Sequence, residues 1–188
     1  MAALVAGPIV RRLARTGVTP NTLTVVSFLG TAGAAALIVT GHLFAAGFVL
    51  LGASFFDILD GALARATNRV TRFGGVLDST LDRFAEALVF IAIAVAFARD
   101  AAAVEVAVAG LALIGSFLVS YVRARAEGAG VECEVGILTR PERVVLIALG
   151  LLLSSFNYVL LGVLGVIAVL SFVTAGQRVF HVWRQTRT

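Results

Sequence analysis

Residues 43–65 read LFAAGFVLLGASFFDILDGALAR, an apolar run that suits hydrocarbon until it meets Asp57, Asp60 and Arg65. A spanning helix needs roughly 20 mostly apolar residues, so residues 43–56 fall short alone and span only by continuing through the two aspartates. Outward from this stretch, further apolar runs lie at about 23–40, 76–98, 104–122, 144–156 and 159–182. The reading is an all-α integral membrane protein of six transmembrane helices, forming one domain over residues 1–188. The chain of 188 residues is 60% hydrophobic and 14% charged, with a mean hydropathy of +1.01. That balance excludes an ordinary soluble domain.

Breakers and charges set the topology. Thr19-Pro20-Asn21 reads as a start signal, with Thr19 able to cap and proline in the first turn. Gly41-His42 and Arg99-Asp100 read as tight turns, and residues 123–143, with Gly128, Gly130, Gly136 and Pro141, as a surface loop. All 15 basic residues are arginine. The N-terminus, the 65–75 connection, the 123–143 loop and the C-terminus, together with Arg83, hold every one except Arg99. The positive-inside bias therefore expects both termini in the cytoplasm. Residues 2–15, with Arg11, Arg12 and Arg15, read as an amphipathic segment (1–16 overall) on the membrane surface rather than a signal peptide. The pI of about 10.5 follows from this topology and implies no nucleic-acid partner. Cys133, the only cysteine, and the isolated His42 and His181 read as incidental.

The acids carry the chemistry. Ionisable groups beside membrane runs are costly and point to function. Asp57 and Asp60 are i, i+3; Asp78 and Asp82 are i, i+4; each pair projects from one helix face. An antiparallel hairpin closed by residues 66–75 brings all four together near the cytoplasmic membrane surface. Their mutual repulsion calls for cations between them or for protonation of some of them, and hard oxygen ligands suit Mg²⁺, Mn²⁺ or Ca²⁺. Small residues, Gly61, Ala64, Gly74 and Gly75, permit close approach of a ligand or a helix, and Arg65 is placed for phosphate oxygens. Ion pairing of the acids with Arg65, Arg69, Arg72 and Arg83 is the bland alternative.

The pattern Asp57-x-x-Asp60-Gly61-x-x-Ala64-Arg65, then eight residues and Gly74-x-x-x-Asp78-x-x-x-Asp82, resembles without departure the signature of the CDP-alcohol phosphotransferase family. The resemblance implies a six-span membrane enzyme that moves a phosphatidyl group from CDP-diacylglycerol to an alcohol and releases CMP. By it, Asp57, Asp60 and Asp78 would hold two divalent ions, Mg²⁺ or Mn²⁺. Asp82 would stand beside them as a further metal ligand or as the catalytic base, and Gly61, Ala64 and Arg65 would line the CDP-lipid pocket.

The acceptor must be read elsewhere. Ser120-Tyr121-Val122-Arg123-Ala124-Arg125-Ala126-Glu127 and Arg140-Pro141-Glu142-Arg143 set basic residues at the cytoplasmic ends of two spans. Ser120 and Arg123, at i, i+3, together with Arg143 suit a phosphomonoester, whereas Arg125 and Arg140 read as ordinary residues meeting lipid headgroups. The cluster is similar to segments of the prokaryotic branch of the family that uses inositol 1-phosphate. Arg123 stands where that branch typically has lysine. Glycerol 3-phosphate is the nearest alternative acceptor; a divalent-cation transporter and a non-catalytic scaffold are the rivals of other classes. The family, and small residues such as Gly110, Gly115, Gly150, Gly162 and Gly165, suggest a homodimer, although glycine-lined helices also pack within one chain.

Overall fold

The computed structural model describes residues 2–156 and 158–187, and among these the regular structure is entirely α-helical. The helices are α1 (Ala2–Leu13), α2 (Pro20–Val39), α3 (Leu43–Ala66), α4 (Arg72–Arg99), α5 (Ala103–Gly128), α6 (Arg140–Leu152) and α7 (Val159–Thr186). Four of them, α2, α3, α5 and α7, are long and apolar enough to cross a membrane. The chain is accordingly a membrane protein. The 28-residue α4 is long enough as well, but residues 72–86 carry Asp78, Asp82, Arg83 and Glu86. The 13 residues of α6 rise only about 20 Å.

Local chemistry explains where the helices begin. Thr19 Oγ1 accepts the Thr22 N–H at 3.2 Å with Pro20 in the first turn, and Thr71 Oγ1 accepts the Gly74 N–H at 2.9 Å. The Glu142 carboxylate accepts the Thr139 N–H at 2.9 Å, completing a capping box before α6. The expected turns at Gly41-His42 and Arg99-Asp100 both form. Arg99 donates to the Val39 carbonyl and so closes the C-terminal end of α2.

Two boundaries differ from the sequence reading. The expected 123–143 loop shrinks, because α5 continues to Gly128 and α6 already starts at Arg140. Ala124, Arg125 and Ala126 are good helix formers, and Arg123 and Glu127 form an i, i+4 ion pair at 2.7 Å along the extension. The second change is at the start of α6, where the Thr139–Glu142 box and Pro141 begin the helix before its apolar residues do.

Packing joins α2 to α3 and α4, α5 to α4 and α7, and α3 to α6. Ile38, Leu50, Phe90, Ile93, Ile147, Leu151, Leu164 and Ile167 fill the shared centre. Between apolar helices in lipid, close van der Waals fit drives association more than water exclusion does. Gly47 illustrates this, since a Cβ there would lie 2.8 Å from Leu152 Cγ and 3.1 Å from the Ala148 carbonyl oxygen. Of the glycines singled out above, Gly115 abuts Ser171 and Gly150 abuts Val163 within the chain, whereas Gly110, Gly162 and Gly165 meet nothing within 4 Å among the described residues. Large apolar side chains such as Phe48, Phe84, Ile91, Phe117 and Val169 face outward, as a surface solvated by lipid requires. In α1, Val10 packs with Leu23, Leu59 and Leu63 while Arg11 and Arg12 are exposed.

Candidate functional site

The ends of α3 and α4 deliver the acids to one place. Asp57, Asp60 and Asp78 each offer a carboxylate oxygen, and these lie within 4.8 Å of one another. Oxygens that share one divalent ion at 2.0–2.6 Å stand up to about 5 Å apart, so the triad fits a hard cation. Asp60 is buried, and its Oδ2 accepts the Thr24 hydroxyl at 2.7 Å. The Pro20 carbonyl oxygen lies 3.2 Å from the same hydroxyl and shares its single proton more weakly. The sequence reading missed Thr24, which lies 36 residues from its partner and carries no local signal.

Asp82 joins the group differently. Its Oδ1 lies 2.7 Å from Arg140 Nη2, while Arg140 Nη1 donates to Asp57 Oδ2 at 2.6 Å. One guanidinium thus ties α3 to α4. This corrects the assignment of Arg140 to lipid headgroups: the side chain turns inward to two carboxylates that would otherwise repel each other.

One helical turn beyond Asp82, buried Glu86 meets buried Arg143 through Nε–Oε1 at 2.7 Å and Nη2–Oε2 at 3.1 Å. Acids on α4 therefore face arginines on α6 in matching register, Asp82 with Arg140 and Glu86 with Arg143. The sequence contained the signal, because Glu86 continues the i, i+4 row from Asp78 and Asp82, but the reading stopped short of it. Arg143 was expected in a cationic pocket with Ser120 and Arg123, and the structure holds it against Glu86. It is fully enclosed, and its Nη1 is buried without a hydrogen-bond partner among the described residues.

Beside the triad lies a cavity of about 320 Å³ lined by Asp60, Gly61, Ala64, Arg65, Gly74 and Asp78, with Pro20, Asn21 and Thr24 of α2 opposite. A Cβ at Gly61 would sit 3.4 Å from Arg65 Nη1, so this glycine lets the guanidinium fold back over the helix. A Cβ at Gly74 would come within 2.9 Å of Thr71 Oγ1 and 3.2 Å of Asn21 Oδ1. The cavity combines a carboxylate cluster with an arginine and open backbone, a set suited to a metal-bound diphosphate.

The second expected cluster is less open. Ser120 is half-buried, Arg123 is exposed and paired with Glu127, and Arg143 is held by Glu86. Arg178, which the sequence reading did not use, lies within electrostatic reach of both Arg123 and Arg143. It donates Nε to the Val135 carbonyl at 2.8 Å and Nη1 to the Val119 carbonyl at 2.6 Å. Thr174 accepts the Leu138 N–H at 3.1 Å, and His181 Nε2 lies 3.3 Å from the Glu132 carbonyl oxygen. Residues 132–138 are thus laced along α7.

Residues 17–177 match the family model described as CDP-alcohol phosphatidyltransferase. The archaetidylinositol phosphate synthase of Pyrococcus horikoshii is 43% identical, the match covering 91% of this chain and 87% of that one. The phosphatidylinositol phosphate synthase of Mycobacteroides abscessus is 38% identical over 96% of this chain and 84% of its own. A crystal structure of the Mycobacterium tuberculosis phosphatidylinositol phosphate synthase with CDP-DAG bound superposes with a TM-score of 0.88 at 34% identity, covering 96% of this chain and 94% of that one. The same enzyme with manganese and citrate gives a TM-score of 0.86 at 35% identity, covering 95% and 88%.

Proposed function

The chain belongs to the CDP-alcohol phosphatidyltransferase family, and from that footing we propose that it transfers a phosphatidyl group from CDP-diacylglycerol to inositol 1-phosphate, releasing CMP. The observation that carries the reading is the Asp57–Asp60–Asp78 triad beside the arginine-lined cavity. The similar enzymes differ by name in the lipid portion and agree in the inositol phosphate product, which favours this acceptor.

Asp57, Asp60 and Asp78, with Asp82 adjoining, would hold Mg²⁺ or Mn²⁺, and we assign two ions. Divalent ions bound there supply charge neutralisation for the diphosphate and for the departing CMP oxygens. Gly61 and Ala64 leave room for the nucleotide diphosphate, and Arg65 donates to its oxygens. Asp82 takes the proton of the attacking hydroxyl as that oxygen bonds to the lipid-side phosphorus and the bond to CMP breaks. Ser120, Arg123 and Arg143 form the cluster that receives the acceptor's phosphate, the enclosed Arg143 contributing through its charge rather than by contact. Arg178 strengthens the positive field there.

The same proposal places α2 to α7 as six crossings of one domain, 1–188, with α6 completing its passage through the turn that follows it. The first helix, within 1–16, lies on the membrane surface. Both termini and the active site face the cytoplasm, where a water-soluble acceptor arrives while the lipid tails enter sideways. We also propose a homodimer, for which the open Gly110, Gly162 and Gly165 are candidate contacts.

The test is CMP release from CDP-diacylglycerol by purified protein with Mn²⁺, comparing inositol 1-phosphate, glycerol 3-phosphate, free inositol and serine. Release only with inositol 1-phosphate is expected. Release only with another alcohol discards the acceptor assignment, and no release with any acceptor discards the reaction. Asp82→Asn should abolish turnover while leaving CDP-lipid binding intact; equal loss of both removes its role as base.

A further inference from the structure

Arg140 occupies a place that helix stability does not explain. It is the first residue of α6, where the helix dipole disfavours a cation. Its Nε is buried with no hydrogen-bond partner among the described residues. Thr139, Pro141 and Glu142 already start the helix without its help. What holds the guanidinium is the pair of contacts to Asp57 Oδ2 at 2.6 Å and Asp82 Oδ1 at 2.7 Å. One turn on, the enclosed Arg143–Glu86 pair fixes the register of α6 against α4, so α6 cannot shift and carry Arg140 away without disturbing a second buried ion pair.

Two consequences follow from this geometry. Arg140 meets one oxygen of each carboxylate, Asp57 Oδ2 and Asp82 Oδ1, and so holds the two acids side by side. It also places a permanent positive charge in direct contact with one member of the Asp57–Asp60–Asp78 triad. A positive charge so close to a cation site opposes the cation's entry, while it relieves repulsion among the acids when no cation is there. We infer that Arg140 is a positioning residue for the reaction: it fixes Asp82 relative to Asp57 and moderates the affinity of the carboxylate group for a divalent ion. This inference rests on the reading of those carboxylates as the metal site.

The experiment measures Mn²⁺ affinity by titration of the free-ion paramagnetic resonance signal, alongside CMP release at saturating Mn²⁺. Arg140→Gln removes the charge, and its Mn²⁺ affinity should rise about tenfold or more while kcat falls at least about tenfold. Arg140→Lys keeps the charge but not the two-pronged grip; its affinity should stay within about threefold of the parent while kcat again falls. Damage to the fold alone would weaken metal binding, so a rise in affinity separates the proposed role from a structural one. Unchanged or weaker binding in Arg140→Gln overturns the inference, and so does full kcat in Arg140→Lys, which serves alone if the glutamine variant does not fold. If the parent protein takes up no Mn²⁺, the metal reading itself falls; if it does and Arg140→Gln matches it, only the role of Arg140 falls.

Discussion

Replacing Glu86 by Gln should destabilise the protein far more than its place in an apolar helix suggests. The side chains of Arg143 and Glu86 are 0% and 3% exposed, with the ionic contact at 2.7 Å, so the substitution strands a buried guanidinium with no countercharge. Breaking a buried pair from one side costs about 3–5 kcal/mol, whereas exchanging both partners for apolar residues of similar volume is often neutral. For a domain of this size each kcal/mol moves the midpoint by roughly 2–4 °C, so Glu86→Gln should lower it by about 10 °C. Cys133 supplies the assay, since it is the only cysteine and 1% exposed. A thiol-reactive fluorophore will therefore report unfolding directly. The double variant Glu86→Leu, Arg143→Met should recover most of the lost midpoint while losing activity toward a phosphorylated acceptor. A Glu86→Gln midpoint equal to the parent's would refute the reasoning, as would a double variant whose loss equals the sum of Glu86→Leu and Arg143→Met alone.

Three further outcomes are expected. Thr24→Val removes the hydroxyl that donates to Asp60 at 2.7 Å; Mn²⁺ titration should show affinity weakened by about 10-fold to 100-fold, the usual effect of losing a hydrogen bond to a metal ligand. Gly74→Ala forces a Cβ to within 2.9 Å of Thr71 Oγ1 and disturbs a cap worth about 1 kcal/mol; kinetics should show a raised KM for the CDP-lipid with a smaller change in kcat. Gly136→Ala adds a Cβ 2.5 Å from Thr174 Cγ2 at a backbone φ of +139°, a strain of about 1–3 kcal/mol. Its signature is faster native-state labelling of Cys133 than in the parent.

The contrast between legible and illegible parts follows chain distance. Asp57 with Asp60, and Asp78 with Asp82, could be grouped because helical periodicity alone puts them on shared faces. Glu86 obeyed the same rule and was legible in principle. Thr24 and Arg140 were not, since they reach the acids across 36 and 83 residues respectively, and only the packing of α2 and α6 on α3 brings them there. Arg140 also resembled its neighbours in composition; a guanidinium turned inward and one turned outward look alike in a sequence. The helices themselves were legible from apolar run length, but their ends were set by polar contacts, Arg123 with Glu127 and Thr139 with Glu142.

The lacing of residues 132–138 to α7 reaches the main chain at every tie: the Glu132 and Val135 carbonyls and the Leu138 amide, met by His181, Arg178 and Thr174. Residues 132 and 135 offer their carbonyls whatever their side chains, and 138 offers its amide unless it is proline. The path of the segment is thus written in the helix that holds it, in the positive φ of Gly136 and in the buried Cys133 and Leu138, while the outward side chains of Glu134 and Ile137 make none of these ties, a surface that can change its face without changing its shape.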